Sequence, residues 1–119
     1  MKYCEICGRI AEEHHVVFRS QAKYMVNVEI NKRHLCSEHH RGNNSPHMNR
    51  KIDLKYKLEL QKQLFEIFSK PFYNEKEIQD ALEISEGETK AIVKTLKRYK
   101  EGYERTDLVI KCMGEKLYV

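Results

Sequence analysis

Two pairs of metal-ligand residues constrain this chain more than anything else in it. They are Cys4-x-x-Cys7 and Cys36-x-x-His39, with 28 residues between them. A Cys-x-x-Cys knuckle sets two thiolates on one side of a tight turn, about the spread a tetrahedral Zn2+ needs. Gly8, directly after the knuckle, can take the positive φ such a turn requires. Cys36-x-x-His39 repeats the spacing at the expected start of a helix. Three sulfurs and one nitrogen suit zinc, and a closed shell of four leaves no position open for chemistry. Cys4, Cys7, Cys36 and His39 are therefore expected to hold a structural Zn2+. Cys112 stands alone in an apolar context and reads as a core residue.

The totals agree with a small metal-stapled fold. In 119 residues, 40% are hydrophobic, 34% are charged and none is Trp. The core is thin enough for a metal staple to matter. The formal net charge is +4. Residues 1–53 hold nine Lys/Arg against six Asp/Glu, and residues 54–119 hold thirteen against twelve. The basic excess thus lies with the metal ligands, and it permits a polyanionic partner without requiring one. The chain enters Cys4 with no apolar leader, and no apolar run approaches membrane-spanning length. The cysteines are spaced for metal rather than for a disulfide framework. The expectation is a soluble cytoplasmic protein with no membrane partner.

Turn and capping signals divide the chain into a core at 1–53, a connecting helix at 54–70 and a small helical module at 71–119. Glu13 to Phe18 reads as a strand, and Asn31 to Cys36 as a second. Ser37 is a candidate N-cap for a helix broken by Gly42 to Pro46. Ile52 to Ser69 reads as the clearest helix. Leu54, Leu58, Phe65 and Phe68 form its stripe, and Leu60, Leu64 and Ile67 widen it. Pro71 closes the segment. Asn74-x-x-Glu77 and Ser85-x-x-Glu88 are capping boxes, the first opening a helix to about Leu82 and the second a helix to about Tyr99. Together they make a helix-turn-helix shape. Thr106 is expected to cap a last helix ending at Gly114, with an extended tail from Lys116. The fold class is α+β: a small zinc-stabilised core followed by a mainly α-helical module.

All six histidines lie between Cys4 and His47. His14 and His15 are adjacent on an expected strand, so they point to opposite faces and take different jobs. His40 follows His39 directly. On a helix it turns about a quarter circle from the zinc. His34 reads as an ordinary strand residue.

His14-His15, Asn31 and Cys36-Ser-Glu-His-His40, beside the Cys4-x-x-Cys7 knuckle, resemble the HNH endonucleases of the ββα-metal type, including phage-like members braced by zinc. The resemblance covers residues 4 to about 50. Asn31 lies 16 residues after His15 and five before Cys36, and His40 lies nine after Asn31. One cysteine of the family's second pair is replaced by His39.

The resemblance implies a small ββα-metal core and hydrolysis of DNA phosphodiester bonds. His15 is implied as the general base and Asn31 as the residue orienting it. His14 and His40 are implied as ligands of one divalent cation (Mg2+, Mn2+, Ni2+ or Zn2+) on the scissile phosphate. His47 or Asn44 would be the third ligand. Arg19, Arg41 and Arg50 are candidates to clamp phosphate. Lys90, Lys94 and Lys97, at i, i+4 and i+7 of the expected second helix, would form a DNA-facing stripe. Whether the chain forms a homodimer is open. The rival reading is a zinc-finger-like DNA-binding protein without catalysis. A protein-interaction module on the same knuckle is the third.

Overall fold

The computed structural model describes residues 1–119 as an α+β fold of five α-helices and two small antiparallel sheets. The N-terminal part runs strand, strand, helix. Strand β1 (Glu12–His15) pairs with β2 (Lys32–Leu35), setting His14 opposite Arg33 and His15 opposite Lys32. Helix α1 (Ser37–Arg41) follows at once and packs on both strands. Two single 3-10 turns, Lys23–Met25 and Glu29–Asn31, lie in the connection between the strands.

Strand β1 begins and ends earlier than its composition suggests. Val16 and Val17 have the β-propensity, yet they lie outside the ladder, buried in the core. Their amides are taken by Asn31 instead: Val16 N–H donates to the Asn31 backbone carbonyl (2.8 Å) and Val17 N–H to its side-chain Oδ1 (2.8 Å). Buried amides need partners, and a buried Asn supplies one here without a fifth ladder pair. Ser37 is the first helical residue of α1, and Cys36 occupies the cap with extended backbone.

Helix α2 (Arg50–Ile67) starts two residues before the expected Ile52 because the Asn49 side chain accepts from the amides of Lys51 and Ile52. Its inward face keeps Leu60, Leu64 and Phe68 buried, with Leu54, Phe65 and Ile67 packed on the core, as the stripe suggests; Leu58 is the exception, exposed, and Tyr56 and Lys57 are buried in addition. These differences follow from what covers the helix: β2 and the N-terminal knuckle on one side and α5 on another. The Arg33 guanidinium lies 4.2 Å from the Tyr56 ring centroid and is salt-bridged to Glu5 (2.7 Å) and to Glu59. The Arg105 guanidinium donates to the Phe65 carbonyl (2.7 Å) and to that of Phe68, satisfying carbonyls the helix end leaves open.

Both capping boxes form. Asn74 caps α3 (Glu75–Leu82) and Ser85 caps α4 (Glu86–Val93), each with the reciprocal glutamate bond from Glu77 or Glu88. The chain between them turns at Glu83, in the left-handed region at φ +54°. Helix α4 stops at Val93, not near Tyr99. The following residues fold into a turn closed by paired bonds between Tyr99 and Gly102 (2.9 and 3.1 Å). That turn leads into β4 (Tyr103–Glu104), which pairs with β3 (Phe72–Tyr73). This second sheet overrides helix propensity at residues 94–99. Helix α5 (Arg105–Cys112) is capped by the Glu104 carboxylate rather than by Thr106, and Gly114 ends it at φ +80°. In the tail Tyr118 is buried, and its backbone exchanges two 2.8 Å bonds with the Gln61 side chain.

One hydrophobic cluster runs through the whole chain, from Cys4 to Tyr118, with Met25, Leu35, Leu60, Leu64, Phe68, Ile78, Ile92 and Leu108 wholly buried. No helix is long and apolar enough to cross a membrane. Gly102 is the tightest backbone position in the second sheet. It sits at φ +123°, and an added Cβ would lie 2.6 Å from the Tyr73 carbonyl oxygen. Gly102→Ala should therefore destabilise the fold by about 2–4 kcal/mol. A urea titration reads this directly, and an unchanged midpoint would refute the assignment of strain there.

Candidate metal centres

The knuckle is built as the spacing suggests. Gly8 N–H donates to the Cys4 carbonyl (2.9 Å), Cys4 N–H to the Arg9 carbonyl (2.6 Å), and Gly8 takes φ +78°. This turn brings Cys4 and Cys7 against the β2–α1 junction, where Cys36 and His39 wait. The four ligand atoms all lie within 4.8 Å of one another, close enough to hold a metal ion such as zinc. The separations are sharper than that. Cys7 Sγ to Cys36 Sγ is 3.6 Å, Cys36 Sγ to His39 Nδ1 is 3.3 Å, and Cys4 Sγ to His39 Nδ1 is 3.5 Å. Ligands at Zn–S of about 2.3 Å and Zn–N of about 2.0 Å on a tetrahedron would be roughly 3.5–3.8 Å apart. The cluster already has nearly those edges.

Two of its three thiols are held low, while Cys7 is raised: a backbone hydrogen bond at Arg9 lowers it, but burial and the neighbouring Cys36 and Cys4 outweigh that. Burial pushes the Cys4 thiol up, but backbone hydrogen bonds at Cys36, Cys7 and Ile6 and the His39 ring outweigh it and bring it down to about 6. Backbone hydrogen bonding at His39 lowers the Cys36 thiol. The thiolates raise His39 in return. Cys112, by contrast, is pushed up to about 12 by burial and is inert.

The second group is His14, His40 and His47, whose ligand nitrogens also lie within 4.8 Å of one another and could hold a metal ion. The peptide bond between His39 and His40 separates the two groups. His14 is 1% exposed, and its Nε2 is buried with no hydrogen-bond partner. Burial, then the neighbouring His40 and His47, lower its pKa to about 3, so the ring is neutral at physiological pH and its lone pair is free. His40 Nδ1 donates to Glu12 Oε1 (2.7 Å), which turns His40 Nε2 toward His47. Hydrogen bonds from His40 and Arg41 hold the Glu12 carboxyl below its ordinary range, so it is a carboxylate. A carboxylate on the far nitrogen is the arrangement that fixes a histidine as a metal ligand. His40 Nε2 and His47 Nε2 are 3.0 Å apart. Two nitrogens about 2.1 Å from one ion and 90° apart would be separated by roughly that distance. His47 stacks on Phe18 (centroids 5.3 Å, 23°), and its pKa is lowered by burial and by His40. An orphaned buried ring nitrogen and two convergent ones make a group that could hold a metal ion.

These three histidines share a cleft of about 220 Å³ with Glu13, His15, Phe18 and Arg19. His15 Nε2 donates to the Val26 carbonyl (3.1 Å). A carbonyl only accepts, so Nε2 carries a hydrogen, and in the neutral ring Nδ1 is the nitrogen with the lone pair. Asn31 does not touch this ring. Its amide donates to the carbonyls of Met25 (3.0 Å) and Val17 (3.3 Å) and its oxygen accepts from Val17 N–H. Asn31 instead ties the backbone just after His15, at Val16 and Val17, to the backbone just before Val26, at Met25.

Other expected residues separate. Asn44 is exposed and lies on a different surface hollow with Glu38, His39, Gly42 and Asn43. Helix α1, which carries His40, ends at Arg41, three residues short of Asn44. Arg19 lines the histidine cleft. Arg41 is exposed and bonded to Glu12 (3.1 Å), and Arg50 lines a separate cavity of about 310 Å³ with Asp53 and Lys57. Lys90 lies on α4 but is paired with Glu75 and Glu86; Lys94 is the C-cap of that helix, and Lys97 lies beyond it. No continuous helical stripe of the three exists. Sequence reasoning missed Glu12, although its separation of two from His14 on one strand face was a usable signal. It missed Phe18 and Arg33, for which no local signal exists.

Comparison with protein-family models, with curated proteins and with solved structures finds no match.

Cys36→Ser should lose the bound metal of the first group and most of the cooperative melt, since binding energy there is folding energy. Metal analysis of the purified protein checks it. A wild-type protein that folds with no zinc would refute the brace. For the second group, His47→Ala should weaken binding of a divalent probe such as Ni2+ by about 10–100-fold. Asn44→Ala should leave it unchanged, and equal losses in a calorimetric titration would show that the ligand assignment is wrong.

Proposed function

We propose that this chain is a zinc-braced, metal-dependent DNA endonuclease of the HNH, ββα-metal type. The observation that supports it most is the convergence of the His14, His40 and His47 nitrogens beside a histidine whose Nδ1 is free. The order strand, strand, helix with its two adjacent ligand groups is consistent with the resemblance of residues 4–50 to that family.

In this reading Cys4, Cys7, Cys36 and His39 hold a structural zinc and take no part in chemistry. A divalent cation on His14, His40 and His47 would supply Lewis acidity toward the scissile phosphate and its leaving oxygen. His15 Nδ1 takes the proton of the attacking water, and the Val26 carbonyl holds the ring in the tautomer that allows it. Asn31 keeps the loop bearing that carbonyl in register with β1. Glu12 keeps the proton of His40 on Nδ1, so Nε2 faces the cleft. Arg19, at the cleft mouth, is placed to contact a phosphate oxygen.

Plasmid nicking in Mg2+, Mn2+ or Ni2+ tests the reading. The wild type should convert supercoiled DNA to open circles, and His15→Ala should slow this by about 10²–10⁴-fold. Absence of cutting with every metal would overturn the enzyme assignment and leave a non-catalytic zinc-binding DNA-binding protein. Equal cutting by both proteins would overturn His15 as the base.

A further inference from the structure

Beside the +3 of residues 1–53, a second and much denser cluster of positive charge lies in a place the histidine cleft does not use. Residues 94–101 carry Lys94, Lys97, Arg98 and Lys100 against Glu101, a net +3, while the whole chain carries +4. The other 111 residues therefore sum to +1. All four cations are exposed, and none forms a salt bridge. Lys90, one turn earlier on α4, shows the contrast: it is neutralised by Glu75 and Glu86.

The segment is a built turn rather than a loose loop. Tyr99 and Gly102 close it with two backbone bonds, and the Tyr99 ring meets Phe72 edge-on (centroids 5.7 Å). Gly102 lies against the backbone of Tyr73. Leu96 packs on the hydrophobic core, and the Lys111 ammonium donates to Thr95 Oγ1 (3.0 Å). Lys97 Nζ sits 4.6 Å from the Tyr99 ring centroid. The apolar side chains point inward and the cations outward, so little order is left to impose on binding.

We infer that the turn Lys94–Lys100 is a contact surface for the phosphate backbone of duplex DNA. Repulsion among four unpaired cations on one short turn is relieved by a polyanion, and counterion release then supplies the affinity. A membrane surface fits less well. Peripheral membrane elements expose apolar residues for insertion, and Leu96 and Tyr99 are both turned toward the protein. A duplex is favoured because the turn directly follows the α3–α4 helix-turn-helix pair, a shape that docks on duplex grooves with backbone contacts beside it. This surface stands on its own observation and does not depend on cleavage.

Fluorescence anisotropy with a short labelled duplex, on the full-length zinc-loaded His15→Ala protein, tests it. Changing Lys94, Lys97, Arg98 and Lys100 together to Gln should weaken binding about tenfold or more and flatten the logarithmic salt slope by about three to four. Changing the three lysines to Arg should retain both affinity and slope, which separates charge from folding. Unchanged affinity and slope in the Gln protein would overturn the inference, as would an equal loss in the Arg protein. Loss of binding only to single-stranded RNA or to phosphatidylserine vesicles, with duplex binding intact, would also overturn it. Because binding is read without cutting, a nuclease that proves inactive leaves this result standing.

Discussion

The junction from β2 into α1 carries the organisation of this molecule. Within five residues, Cys36 to His40, the chain supplies two ligands to one group and one ligand to another. The extended backbone at Cys36 ends the strand and opens a five-residue helix. On that helix consecutive side chains diverge by about 100°. His39 thus faces the thiolates, and His40 faces His14 and His47. Closing the thiolate group onto the N-terminal knuckle fixes α1 against the two strands. The position of His40 relative to His14 is then decided.

Burial and pairing distinguish the two groups. The first is a closed set of thiolates and one imidazole near the surface, with edges close to those of a tetrahedron. The second is a set of imidazoles, with His14 and His40 buried; desolvation keeps His14 neutral, and the Glu12 carboxylate fixes the orientation of the His40 ring. A neutral, desolvated lone pair costs stability when it has no partner. His14 Nε2 is such an atom. The fold tolerates it because the surrounding pairs are rigid: Glu12 on His40, Phe18 against His47, and Lys57 held between Asp53 (2.9 Å) and the Phe18 ring (4.2 Å). Residues on β1, α1 and α2 hold the cleft together, so it is a product of the whole N-terminal half.

The C-terminal half shows how local and distant forces divide. Asn74 and Ser85 capping is a contest of a few hydrogen bonds within four residues, and both helices begin where the capping boxes stand. Their ends are different. Helix α4 stops at Val93 because Tyr103 and Glu104 pair with Phe72 and Tyr73, thirty residues earlier. The same pairing turns three residues of a supposed basic helix face into parts of two different elements. On α2 the leucines Leu60 and Leu64 lie inward as their spacing suggests, while the burial of Tyr56 under Arg33 and the exposure of Leu58 were set by the neighbouring segments.

By itself the sequence determined the ligand set of the thiolate group, both capping boxes and the α+β class. Each of these depends on residues a few positions apart, where backbone geometry leaves few choices. It also marked His14, His15, Asn31, His40 and His47 as the residues of interest. Only the tertiary structure decided that His47 and not Asn44 joins His14 and His40. It also decided that Glu12 orients His40, that Asn31 acts on backbone rather than on the His15 ring, and that the free cations gather on a turn. Those outcomes rest on contacts between segments far apart in the chain. Register, burial and packing settle such contacts, and local spacing marks at most a candidate, as the separation of two between Glu12 and His14 does.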